Sequence, residues 1–159
     1  MNDHTIAPID DLHNEETLAS IMVLAACCDG EFTVEEVQHI SSILNCYPYF
    51  PNLTENHLRD IAQQCLESGL SEIELIKEMV ENLSVDYHLP ALAFAYEICA
   101  ADLVIMPQEK KFLIELREIL NISLEITNAL EISIQSRYFA SDTADAVLDF
   151  PITGSNSLH

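Results

Sequence analysis

Basic residues are scarce in this sequence: six Lys and Arg stand against 27 Asp and Glu, for a net charge of -21. Such a surface repels phosphate backbones and anionic headgroups, so nucleic acid is not an expected partner. Glycine is scarcer still, at three residues. Turns must therefore be marked by other residues, and no nucleotide-binding loop is recognisable. There is no C-x-x-C pair. The five cysteines, Cys27, Cys28, Cys46, Cys65 and Cys99, are odd in number and scattered, so their spacing encodes neither a disulfide framework nor a zinc site. Most are expected as core thiols, with capture of a soft metal or metalloid by vicinal Cys27 and Cys28 as the minor alternative. Long apolar runs are missing too. "IMVLAACC" and "LPALAFAYEICAA" fall short of the roughly 20 residues a bilayer span requires, and the start of the chain lacks the basic and apolar regions of a signal peptide. A cytoplasmic chain without direct membrane insertion is the expectation.

What is present is helix. At 159 residues and 49% apolar composition the chain suits one globular domain. Leu58, Ile61, Ala62, Cys65 and Leu66 recur at amphipathic helical spacing, and Ile73, Ile76, Val80 and Leu83 repeat the pattern after Gly69. Leu18 to Cys28 and Leu89 to Ala101 are apolar on nearly all sides, as central helices of a bundle should be. "NISLEIT" alternates like a strand, but Ile126, Leu130 and Ile134 continue at helical spacing, and helix is the better reading. "YPYFPN", with Pro48 and Pro51, reads as a packed connector. The expected organisation is an N-terminal extension over 1–14, a helical domain over 15–138 and a mobile tail over 139–159, where composition turns polar.

The stretch "CCDGEFTVEE" holds the clearest motif. Counted from Gly30, Asp29, Phe32 and Glu36 fall at positions of the back half of a calcium loop, yet Ala25 and Cys27 stand where its first two oxygen ligands belong. Asp29, Glu31 and Glu36 remain candidates for a weaker divalent site. The alternative needs no ion: Gly30 suits the left-handed residue that ends a helix, and Thr33 followed by Glu36 is a capping box. Placing Asp102 on Asp29 aligns "AADLVIMPQEKKFL" with "CCDGEFTVEEVQHI", so two similar helix hairpins are implied, the second with Pro107 at its first helical position and Glu109 beyond it.

The apolar helix, "DGEFTVEE" and the second copy ending "AYEICAADLVIMPQEKKFLIELREIL" resemble the TerB tellurite-resistance family over roughly Glu15 to Arg137. The resemblance implies an all-α, compact bundle of about seven helices, with Asp29, Glu36, Asp102 and Glu109 as acidic positions proposed to bind metal ions such as a divalent cation. It also implies a noncatalytic stress-response role at the inner face of the membrane, through partners such as a TerC-like membrane protein and TerD-like proteins. Leu103 and Val104 depart from the family's usual glycine and polar residue.

Two further groups bear on function. Glu36 and His39 form a single Glu-x-x-His pair, whereas a di-iron bundle uses two such pairs plus two more glutamates, so His39 is read as a surface residue. Glu97 is the lone charge within Leu89 to Ala101, and a structural ion pair with a cation such as Arg117 or Lys110 is expected. No catalytic constellation is visible, and no enzyme is expected. The alternative function is a small-molecule binding protein with an apolar pocket lined by Met22, Phe94 and Tyr96. Because the surface repels anions, intact tellurite should show no saturable binding by calorimetry at neutral pH and low salt; a measurable isotherm would contradict this reading of the charge.

Overall fold

The structure, a computed structural model, describes residues 9–47, 50, 53–101 and 104–138, apart from the side chains of 9–12, 29 and 138. These residues form seven α-helices and no strand: α1 (Ile9–Ala26), α2 (Val34–Asn45), α3 (Glu55–Glu67), α4 (Glu72–Glu81), α5 (His88–Cys99), α6 (Pro107–Leu120) and α7 (Leu124–Tyr138). Three-residue 3-10 turns at Cys27–Asp29 and Val85–Tyr87 follow α1 and precede α5. The all-α bundle inferred from the sequence is the fold observed, and "NISLEIT" enters a helix. None of the described helices is long and apolar enough to cross a membrane. The proposed boundary at residue 15 falls inside α1, and the tail at 139–159 lies outside the described residues.

Packing is organised by the apolar second half of α1 and by α5. Every residue from Ile21 to Ala26 is buried, so this half of α1 touches protein on all sides. On α5, Ala91, Leu92, Ala95, Tyr96, Ile98 and Cys99 are buried as well. The α1–α5 contact is the most extensive in the domain. Around this pair α3 and α4 lie against α1, α6 and α7 lie against α5, and α2 closes on α3. Each outer helix contributes one stripe, such as Val37, Ile40 and Leu44 of α2 or Phe112, Leu113, Leu116 and Leu120 of α6. This is the division between wet and dry helices that hydrophobic periodicity predicts.

The stripes of α3 and α4 overrun the core. Leu58, Ala62, Ile76 and Leu83 are buried, but Leu66 is 71% exposed and Ile73 38% exposed. Both flank the corner joining α3 to α4, where the terminal turns extend past the core and helical spacing no longer guarantees cover. Gly69 supplies the positive φ, 70°, by which the chain leaves α3.

A polar clamp joins the two central helices near their starts. Asn14, 3% exposed, donates from Nδ2 to the Ser84 hydroxyl at 3.1 Å and accepts from the Ser84 N–H at Oδ1 at 2.9 Å. Ser84 immediately precedes the 3-10 turn that leads into α5, while at the other end Ala26 and Ile98 border one cleft. The two helices therefore run side by side in the same sense. Asn14→Ala removes both bonds and should cost about 1–2 kcal/mol, read as a lower urea midpoint at unchanged slope. An unchanged midpoint would show that water replaces the clamp without loss.

Candidate functional site

Because α1 and α5 are parallel, the two hairpin turns that follow them meet at one end of the bundle. In the first, Gly30 ends the 3-10 turn at φ 92° and ψ 1°, donating its N–H to the Cys27 carbonyl at 2.9 Å. Thr33 then caps α2 with a complete capping box. Its hydroxyl accepts from the Glu36 N–H at 3.2 Å, while Glu36 Oε2 accepts from the Thr33 N–H at 2.6 Å and from the Thr33 hydroxyl at 3.1 Å. The second turn opens α6 with Pro107 in the first helical position, and Glu109 Oε2 accepts from the Met106 N–H at 2.7 Å. Met106 brings no hydroxyl, so only the glutamate half of the device is repeated. Glu36 and Glu109 therefore do the same structural work: each holds the backbone N–H three residues before it, at the positive end of a helix.

The same two glutamates line one cleft of about 440 Å³, together with Thr33, Glu35, His39 and the apolar wall of Ala26, Ile98 and Ala101. His39 is half-buried and not the surface residue that its position on an outer helix suggests; its Nε2 is buried and has no hydrogen-bond partner among the described residues. Glu31 is exposed and does not line the cleft. The side chain of Asp29, and Asp102 altogether, lie outside the described residues. Among the described residues no group of three His, Cys, Asp or Glu side chains is placed to hold a metal ion. The arrangement is acidic and shared between the two halves, but what is described of it does not amount to a coordination site.

The cysteines divide by environment. Cys46 is exposed, Cys99 is buried, and Cys27, Cys28 and Cys65 are half-buried. Burial pushes the Cys28 and Cys99 thiols well above the usual range, and the carboxylates of Glu72 and Glu109 add to the effect on both. The Cys28 Sγ also donates to the Ala25 carbonyl at 2.8 Å. A thiol held in its protonated form is a poor nucleophile and a poor metal ligand, which argues against soft-metal capture at Cys28.

The partner of Glu97 is Arg137 of α7, at 3.0 Å, in place of the Arg117 or Lys110 expected from sequence. Arg117 instead donates to the Ile122 carbonyl at 3.2 Å and meets Glu118 at 3.3 Å. An ion pair is present, but its cation comes from a helix whose position the sequence does not reveal. Met22 is fully buried, and Tyr96 is 7% exposed with its hydroxyl pushed up to about 12 by burial and then by Glu131. Both belong to the core, and neither borders a described cleft. Phe94 does line one, a cleft separate from the acidic one.

If the glutamates serve as caps, Thr33→Ala should cost about 1 kcal/mol. Urea unfolding should return the same loss in chelator and in millimolar calcium or magnesium; a loss that appears only with the cation present would place an ion at this turn.

A family model described as tellurite resistance protein TerB matches residues 15–131. No curated protein and no solved structure matches the chain. The match takes in both hairpins, both matched glutamates and all of the helix pair from Glu15 onward. The chain belongs to the TerB tellurite-resistance family.

Proposed function

We propose that the domain is a noncatalytic docking module of a tellurite or general chemical stress response, acting in the cytoplasm through protein partners. The observation that supports this reading is the corner between α3 and α4. Leu66, Leu70 and Ile73 are 71%, 42% and 38% exposed within eight positions of sequence, although two of them continue stripes that are otherwise buried or half-buried. Apolar side chains grouped beyond the reach of the core and rimmed by charge are a signature of association surfaces. The rim here is acidic: Glu67 and Glu74 are exposed, and hydrogen bonds from the Ser71 N–H and hydroxyl hold the Glu74 carboxyl below its usual range. The surface suits a partner face with an apolar centre and basic edges. A TerD-like protein, or the cytoplasmic part of a TerC-like membrane protein, is the candidate that family membership suggests. Any location at the membrane would come through that partner.

A second reading, a weak divalent-cation site, draws its support from the convergence of Glu36 and Glu109 on one cleft beside His39 Nε2, which has no hydrogen-bond partner among the described residues. Asp29 and Asp102 would have to complete the ligand set. The described residues do not supply it alone, and no step of the docking reading depends on an ion.

The docking reading is tested with Leu66→Ser and Ile73→Ser combined. Both side chains are exposed, so the thermal midpoint should move by no more than a few degrees. Affinity for a purified TerD-like partner, read by calorimetry, should fall about tenfold or more, as loss of a central apolar contact does. Unchanged affinity would remove the corner from the interface.

A further inference from the structure

A second cleft, of about 570 Å³, lies between α1, α5 and α7. Its volume is within the range of about 300–1,000 Å³ typical of small-molecule sites. The apolar wall is built from fully buried Leu18 and Ile134 and from half-buried Phe94. Phe94 is fixed edge-on between two other rings, with Tyr47 at 5.1 Å and 88° and Phe50 at 5.8 Å and 76°. Tyr47 is 41% exposed and stands at the rim, where its ring can be reached by a ligand.

The charges on the lining are unequal. Glu97 and Arg137 both border the cleft and are paired at 3.0 Å, so the guanidinium is already matched. Asp86, on the 3-10 turn before α5, also borders the cleft and forms no ion pair with any described cation. The net local charge is therefore one carboxylate beside aromatic rings, within a chain of net charge -21. Ring faces and an adjacent carboxylate attract a cation jointly, and the field of the whole chain raises its local concentration.

We propose that this cleft binds a small organic ammonium ion, its aromatic or alkyl body against Leu18, Phe94 and Ile134 and its charged head between Tyr47 and Asp86. An organic anion of the same shape meets the unmatched carboxylate and is disfavoured. A neutral analogue gains the apolar wall alone. This site is separate from the α3–α4 corner and stands or falls independently of partner docking.

Three matched probes test it on the full-length, isotopically labelled protein: 4-phenylbutylammonium, 4-phenylbutan-1-ol and 4-phenylbutanoate, titrated by amide chemical shift at low salt. Saturable shifts should centre on Tyr87, Ala93, Phe94 and Ile134. The ammonium should bind about threefold tighter than the alcohol and about tenfold tighter than the carboxylate, the span expected of one partly exposed charge contact. Asp86→Asn should bring the ammonium to the affinity of the alcohol while leaving the alcohol within about twofold of its original value. Ala93→Trp, which fills the cleft, should weaken all three. The proposal is overturned if no probe gives a saturable shift at the cleft, if the carboxylate binds as well as the ammonium, or if Asp86→Asn leaves the preference intact.

Discussion

The architecture depends on the burial of α1 against α5. The apolar half of α1 and the core residues of α5 cannot rest on a surface; they must be enclosed, and the outer helices serve that end with apolar stripes. The energetic scale is set by side chains such as Ile21, Met22 and Leu92, each 1% exposed or less. Fully burying a residue of this kind contributes roughly 1.5–3 kcal/mol relative to exposure. Against a net stability of about 5–15 kcal/mol for a domain, the pair has no redundancy to lose.

The same constraint explains why a short acidic motif occurs twice. Parallel central helices end at the same side of the bundle, and each must hand the chain to an outer helix through a tight turn. The orphan N–H groups at the start of α2 and α6 then need acceptors, and Glu36 and Glu109 provide them at 2.6 and 2.7 Å. Convergence of negative charge on one cleft follows from the geometry of capping, whatever else binds there. The surfaces the fold does not consume are those on which the two proposals rest: the apolar corner at Leu66, Leu70 and Ile73, and the aromatic cleft around Phe94.

Local features were legible in the sequence because their causes are local. The all-apolar runs identified α1 and α5, Gly30 and the Thr33–Glu36 pair marked a helix end and a helix start, and the spacing of Ile126, Leu130 and Ile134 overrode the strand-like alternation before it. Features set by long-range placement were not legible. Asn14 sits in a polar stretch that looks solvated, and only the arrival of Ser84, 70 positions away, makes it a buried clamp. Arg137 finds Glu97 because α7 folds back along α5. Leu66 keeps helical phase with Leu58 and Ala62 but lies beyond the core's edge, and phase does not report where a core ends. His39 looks like an outer-face residue, yet it lines the cleft that Ile98, Ala101 and Glu109 of the second half also border. Asn121, left-handed at φ 57° and ψ 41°, ends α6 where no glycine is available.

Native-state hydrogen exchange tests the central claim, that the α1–α5 pair holds the domain together, most directly. Amides of α1 from Leu18 to Ala26 and of α5 from Leu92 to Cys99 should exchange last and together, with an opening free energy equal to that of global unfolding by urea. The corner from Leu66 to Ile73 should exchange well before them. Exchange of α1 or α5 through an opening smaller than the global one, while α3 or α4 remains protected, would contradict the account.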